Sequence, residues 1–130
     1  MLDKALAFAT EKHKGQVDDS GKPYINHPIA VAEIVRCVTK DEEVIAAAFL
    51  HDVLEDTDAT YEELKSEFGF RVADLVNEVT KEGKNFFPRL HTQRAVLLKL
   101  ADRMHNISRM EPWTQERQDK YIRNTVFWGS

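Results

Sequence analysis

At 130 residues the chain has the length of one domain, 1–130, and can bury a core without disulfide or structural-zinc staples. Its single cysteine, Cys37, has no partner for an internal disulfide, which fits a reducing compartment, and no apolar run approaches a membrane span. With 18 basic and 22 acidic residues mixed along the chain and a net charge of −4, no broad nucleic-acid footprint is visible, so an anionic substrate would have to be attracted by a metal and a few local cations.

The first dozen residues carry charges on both sides of a short apolar stretch, unlike a signal peptide, and a soluble cytoplasmic protein is the default expectation. Apolar residues then recur at three- and four-residue steps throughout, which predicts helices. Residues 2–13 place Leu2, Leu6, Phe8, Ala9 and His13 roughly on one side, with His13 bordering any pocket below it. A loop over 15–28 is punctuated by Ser20-Gly21 and Pro23, and Pro28 suits the first turn of a helix running to about Cys37. Thr39 with Glu42 reads as a capping box opening a helix over 40–55. Thr60 with Glu63 reads as another, opening 61–68, and Gly69 stops that helix. Val72, Leu75, Val76 and Val79 mark a helix over 70–80. Residues 81–88 read as a loop. Over 89–110, Leu97, Leu100, Ala101, Met104 and Ile107 form the expected core stripe of a long helix. A final amphipathic helix follows Pro112, with Tyr121, Ile122, Val126 and Phe127 for burial; Trp113 and Trp128 read as packing residues and His91 as exposed. The expected fold is all-α, with six or seven helices.

Four residues stand out of place in this pattern. His51-Asp52 interrupts the apolar run that begins at Ile45, Asp102 interrupts Leu97-Leu98-Lys99-Leu100-Ala101, and His27 precedes Pro28. Polar groups entering a core are costly unless satisfied, and a divalent cation held by nitrogen and oxygen would satisfy them. Adjacent helical residues project about 100° apart, close enough for His51 and Asp52 to reach one ion. Glu55 and Asp56 follow these two at four-residue spacing, one turn along and near the expected helix end, where carboxylates beside a metal can position or deprotonate water. Lys99, His105 and Asn106 share the face of Asp102, adding a cation suited to phosphate and two hydrogen-bonding groups. Each residue alone has an ordinary reading: a helix-start histidine for His27, a hydrogen-bonded core histidine for His51, a solvated helix end for Glu55-Asp56, a surface ion pair for Asp102-Arg103. Those readings must all hold independently, whereas one metal site explains the set.

Tyr24-Ile25-Asn26-His27-Pro28, Phe49-Leu50-His51-Asp52-Val53-Leu54-Glu55-Asp56-Thr57 and Leu98-Lys99-Leu100-Ala101-Asp102-Arg103-Met104-His105-Asn106 resemble the hydrolase domain of Rel/Spo alarmone enzymes, a branch of the HD superfamily of metal phosphohydrolases. The resemblance implies an all-α HD helical bundle binding one divalent ion, commonly Mn2+, through His27, His51, Asp52 and Asp102. It implies Glu55 and Asp56 as the water-activating pair, and Tyr24, Lys99, Asn106 and Ser20 as substrate contacts. It further implies removal of the 3′-pyrophosphate from guanosine tetra- or pentaphosphate (ppGpp) by a small, stand-alone enzyme acting on a nucleotide, with no nucleic acid or membrane partner. One departure is local. The family carries a basic pair ahead of Ser-Gly, where this chain has Asp18-Asp19, a swing of four charges beside the expected pocket. Two alternatives therefore accompany the alarmone reading: an HD phosphatase for another nucleotide or a phosphorylated dinucleotide, and a regulatory module that holds a nucleotide without turnover.

Overall fold

The computed structural model describes residues 1–18, 20–80 and 92–108. Among them are seven helices: α1 Leu2–Lys12, α2 Asn26–Val38, α3 Glu42–Leu50, α4 Val53–Asp56, α5 Tyr61–Phe68, α6 Phe70–Val79 and α7 Gln93–Ser108. The described residues hold no strand, only an isolated antiparallel bridge between Val17 and Pro23 that closes the loop joining α1 to α2. The all-α expectation holds.

The bundle is organised around α3. Every residue from Val44 to Leu50 is buried, with Ala46, Ala47, Ala48 and Leu50 fully so, and the helix packs against α1, α2, α6 and α7. A helix that is apolar on all sides has no solvent face to present and becomes the centre of the fold. The three alanines keep it slim enough for neighbours on every side. Its C-terminal end consequently delivers His51 into the middle of the molecule.

The expected continuous helix over 40–55 is corrected at both ends. Asp41, not Thr39, is the N-cap: its carboxylate accepts the Glu43 N–H at 3.0 Å, while Thr39 Oγ1 accepts the Asp41 N–H at 3.1 Å one step earlier. An aspartate caps as well as threonine and adds a negative charge at the positive helix end, where Arg94 of α7 also pairs with it. At the other end His51 and Asp52 form a turn, with Asp52 at φ −105° and ψ −2°, and helical hydrogen bonding resumes only at Val53. Glu55 and Asp56 thus lie in the single turn of α4, not at the end of a long helix.

Thr60 caps α5 as expected, accepting the Glu63 N–H, and Gly69 ends it at φ 90°, a conformation that favours glycine. The stripe expected on α7 holds at Ala101 and, half-buried, at Leu97, and is displaced at its other positions. Ala95, Leu98, Ala101 and Asp102 are buried, whereas Leu100, Met104 and Ile107 are exposed. The period was right and the phase was not, because the face that turns inward is the one carrying Asp102 and, a turn further on, the half-buried His105. Asp19, the loop over 81–88, His91 and the amphipathic segment beyond Pro112 lie outside the described residues.

Candidate metal centre

Three separate elements bring the four out-of-place residues together. His27 comes from the first turn of α2, His51 and Asp52 from the turn between α3 and α4, and Asp102 from the buried face of α7. One ligand atom from each lies within 4.8 Å of all the others. His27 Nε2 is 2.7 Å from Asp102 Oδ1 and 3.8 Å from Asp52 Oδ2; His51 Nε2 is 3.0 Å from Asp52 Oδ2 and 3.3 Å from Asp102 Oδ1.

The chemistry of His51 tests whether a cation fits. Its Nδ1–H donates to the Ala48 carbonyl oxygen at 2.7 Å, which fixes the proton on that nitrogen. Its Nε2 is then a lone pair facing two carboxylate oxygens, fully buried and without a hydrogen-bond partner. Such an arrangement is repulsive unless a positive charge sits between the groups. A proton can supply it: burial pushes the His51 pKa down, but the Asp52 and Asp102 carboxylates raise it well above the ordinary value. A divalent cation supplies it better, since two neutral imidazoles and two carboxylates balance its charge and offer the nitrogen and oxygen donors it prefers. The residues present therefore fit a divalent metal.

The surrounding groups hold the clustered side chains in place, as second partners do around metal sites. The Tyr24 hydroxyl donates to Asp52 Oδ2 at 2.5 Å, and burial together with Asp52 raises the tyrosine pKa, keeping that proton in place. Lys99, although buried, sits with Nζ 3.2 Å from Asp102 Oδ2, and Asn106 Nδ2 donates to Asp102 Oδ1 at 3.3 Å. Three of the four residues expected to touch substrate thus contact a carboxylate of the cluster. Ser20, the fourth, is exposed in the α1–α2 loop, where its backbone N–H donates to Asp18 Oδ1 at 2.8 Å.

Glu55 and Asp56 are exposed on α4, and the Asp56 N–H bonds the Asp52 carbonyl at 3.0 Å, which keeps the expected four-residue register between ligand and acid. Asp18 is not free to face outward unhindered. Its carboxylate also accepts the Lys22 N–H at 3.0 Å, so it builds the turn it occupies.

Three contacts go beyond what the sequence reading assigned. His13, buried as expected of a pocket border, bonds Gln16 Oε1 through Nδ1, and Gln16 Nε2 donates to the Asp56 carbonyl at 3.0 Å, tying the loop to the acidic turn. His105 meets His27 at Nδ1–Nδ1 2.7 Å. Arg103, weighed as part of a surface ion pair, is buried. Only His105 left a sequence signal, its three-residue offset from Asp102; Gln16 acts from a loop, where periodicity says nothing.

This geometry agrees with the comparisons. A family model described as HD domain matches residues 5–85. That stretch holds three of the four clustered residues. The chain belongs to the HD domain family. Among curated relatives of this HD chain, guanosine-3′,5′-bis(diphosphate) 3′-pyrophosphohydrolase MESH1 of Danio rerio is 40% identical, with 94% of this chain and 78% of the relative covered. A guanosine-3′,5′-bis(diphosphate) 3′-pyrophosphohydrolase of Aquifex aeolicus is 41% identical over 96% of this chain but only 20% of its own length, and the bifunctional (p)ppGpp synthase/hydrolase SpoT of Escherichia coli is 37% identical with the same shares. This HD chain spans about a fifth of the length of those bacterial relatives. A solved metazoan ortholog of SpoT that hydrolyses ppGpp superposes with a TM-score of 0.78 at 38% identity, covering 92% of this chain and 78% of that one. The all-α HD fold is therefore shared.

Proposed function

We propose that this HD chain is a cytoplasmic, metal-dependent nucleotide phosphohydrolase that removes the 3′-pyrophosphate from guanosine tetraphosphate. The observation that carries the reading is the buried His51 Nε2 without a partner, facing two carboxylates in a two-His, two-Asp cluster that only a cation reconciles. The similarity to MESH1 over 94% of the chain supplies the substrate class.

His27, His51, Asp52 and Asp102 would hold the ion, with Mn2+ favoured by the oxygen content and the absence of thiolate. A divalent metal there would supply Lewis acidity, acidifying water and polarising the phosphoryl group. Glu55 and Asp56, on the exposed turn that begins directly after Asp52, accept the proton from the attacking water. Lys99 keeps two further N–H donors beyond its contact with Asp102, and these steady the phosphate at the rim of the cluster. Tyr24 and Asn106 keep the carboxylates oriented and present their remaining polar atoms to the nucleotide, with Ser20 on the loop opposite. The water oxygen bonds to phosphorus as the phosphorus–oxygen bond to the nucleoside 3′-oxygen breaks, the 3′-oxygen takes up a proton, and guanosine diphosphate and pyrophosphate are released.

Asp18 favours a second reading, a less charged phosphate ester as substrate, because its carboxylate stands where a basic residue would attract a polyphosphate. Hydrolysis of a nucleotide panel, with Mn2+ present and after chelation, separates the two. Metal-dependent release of pyrophosphate from guanosine tetraphosphate is expected. Turnover of other esters only would establish the second reading, and turnover unaffected by chelation would end both.

A further inference from the structure

The two histidines of the cluster are held in different ways. His51 leans on a peptide carbonyl, which can only accept, so its Nδ1 carries a proton and its Nε2 is the nitrogen that meets a cation, be it a proton or a metal. His27 leans on another imidazole. Its Nδ1 lies 2.7 Å from Nδ1 of His105, with ring planes 22° apart and centroids 4.9 Å apart. The centroid distance exceeds the nitrogen separation by about two ring radii, so the rings meet edge to edge along one hydrogen bond. A single hydrogen lies between the two nitrogens, and either ring can own it.

We propose that His105, outside the ligand set, selects the tautomer of His27 and thereby decides whether His27 Nε2 is open to the metal. This rests on the metal-centre reading above. His27 Nε2 is 2.7 Å from Asp102 Oδ1, so with no ion between them the contact is satisfied by a proton on Nε2, which leaves Nδ1 bare to accept from His105 Nδ1–H. Coordination demands the reverse. His27 Nε2 gives up its hydrogen, Nδ1 takes one and donates it to a now bare His105 Nδ1, and His105 carries its own proton on Nε2. Each ring holds one proton before and after, so the pair stays neutral: His27 Nε2 loses a proton, the shared hydrogen passes from His105 Nδ1 to His27 Nδ1, and His105 Nε2 gains a proton. A carbonyl partner could not support both states; an imidazole supports either. His27 is nearly inaccessible at 1% exposure, so no solvent molecule can take over the role of His105 at that nitrogen.

The test uses the intact chain, with Zn2+ as a diamagnetic probe alongside Mn2+. Long-range 1H–15N spectra of the unsubstituted protein should show His27 protonated at Nε2 without metal and at Nδ1 once Zn2+ is bound. His105→Phe keeps ring volume but offers no acceptor, and metal affinity should fall by about ten- to a hundredfold, the usual cost of losing a partner behind a histidine ligand. His105→Asn places an amide oxygen close to the position of Nδ1 and should recover affinity to within a few-fold of the parent. A His27 tautomer that is unchanged by Zn2+, or equal metal affinity in the parent and His105→Phe, overturns the proposal. Loss of affinity in both variants alike also overturns it, since packing alone would then explain the effect. If the parent itself takes up neither metal, the metal-centre reading fails at its root, a result distinct from any of these.

Discussion

His51 carries opposite obligations on its two nitrogens, and its protonation sets a measurable pH dependence. Its raised pKa in the folded, metal-free protein means the bound proton contributes stability that is fully present below the ordinary value of 6.5 and is lost as pH rises through the raised value. His27 is shifted down by burial, against the opposing pull of Asp102, so its effect is confined below 6.5, where the unfolded chain binds the extra proton. Asp52 and Asp102 are lowered in spite of burial, chiefly by His51 and His27, and their contribution is lost only in acid below 3.8. Within the cluster, the pH window from 6.5 up to the raised value therefore belongs to His51. Metal-stripped protein should lose thermal stability as pH rises across that window, and saturating Mn2+ should remove most of the loss. A flat profile in the stripped protein would contradict the arrangement. Glu55→Gln and Asp56→Asn should each retain the ion yet lose turnover by about a hundredfold or more, whereas loss of metal content would make them ligands instead. Asp18→Arg tests the second reading: if repulsion matters, the Michaelis constant for guanosine tetraphosphate should fall and salt should shrink the difference. Because Asp18 also caps its own turn through the Ser20 and Lys22 amides, the same replacement should loosen the loop, visible as faster amide exchange there.

Helix α3 links packing to chemistry. Its three consecutive fully buried alanines leave no room on any side, so Ala47→Leu should destabilise the protein by about 1–3 kcal/mol in urea unfolding through forced rotamers and backbone shifts. Metal affinity should fall with it, because His51 rides on the end of that helix; unchanged affinity would show the cluster to be insulated from α3. The run from Ile45 to Leu50 made this helix legible from sequence, and the Thr60 cap and Gly69 stop were legible for the same reason: each is a local pattern with a local cause. The break at His51-Asp52 was not. Nothing in the residues forbids a continuous helix there, and the turn arises because both side chains must face one point contributed by α2 and α7. The phase of α7 failed in the same way, since a stripe of leucine and methionine competes with Asp102 for the inward face and only the assembled cluster decides for the polar residue.

For the whole molecule, an ion held by the cluster would couple directly to the fold. The cluster joins α2, the α3–α4 turn and α7, so an ion bound only by the folded state at a hundred times its dissociation constant should add about 2.7 kcal/mol of stability. Calorimetry with and without Mn2+ should show the melting temperature rise, and Asp102→Ala should abolish the rise; a shift that persists in that variant would place the ion elsewhere. No helix among the described residues is long and apolar enough to cross a membrane. By itself the sequence determined the helical class and the chemistry of the cluster, because apolar periodicity and polar residues set against it are written in linear order. It also determined the family, whose motifs are contiguous. What only the tertiary structure decided is which partner each polar atom meets: Lys99 and Asn106 on Asp102, Tyr24 on Asp52, His105 behind His27. The His27–His105 contact joins residues 78 positions apart, and its distance and direction follow from how α2 and α7 pack, which no local pattern encodes.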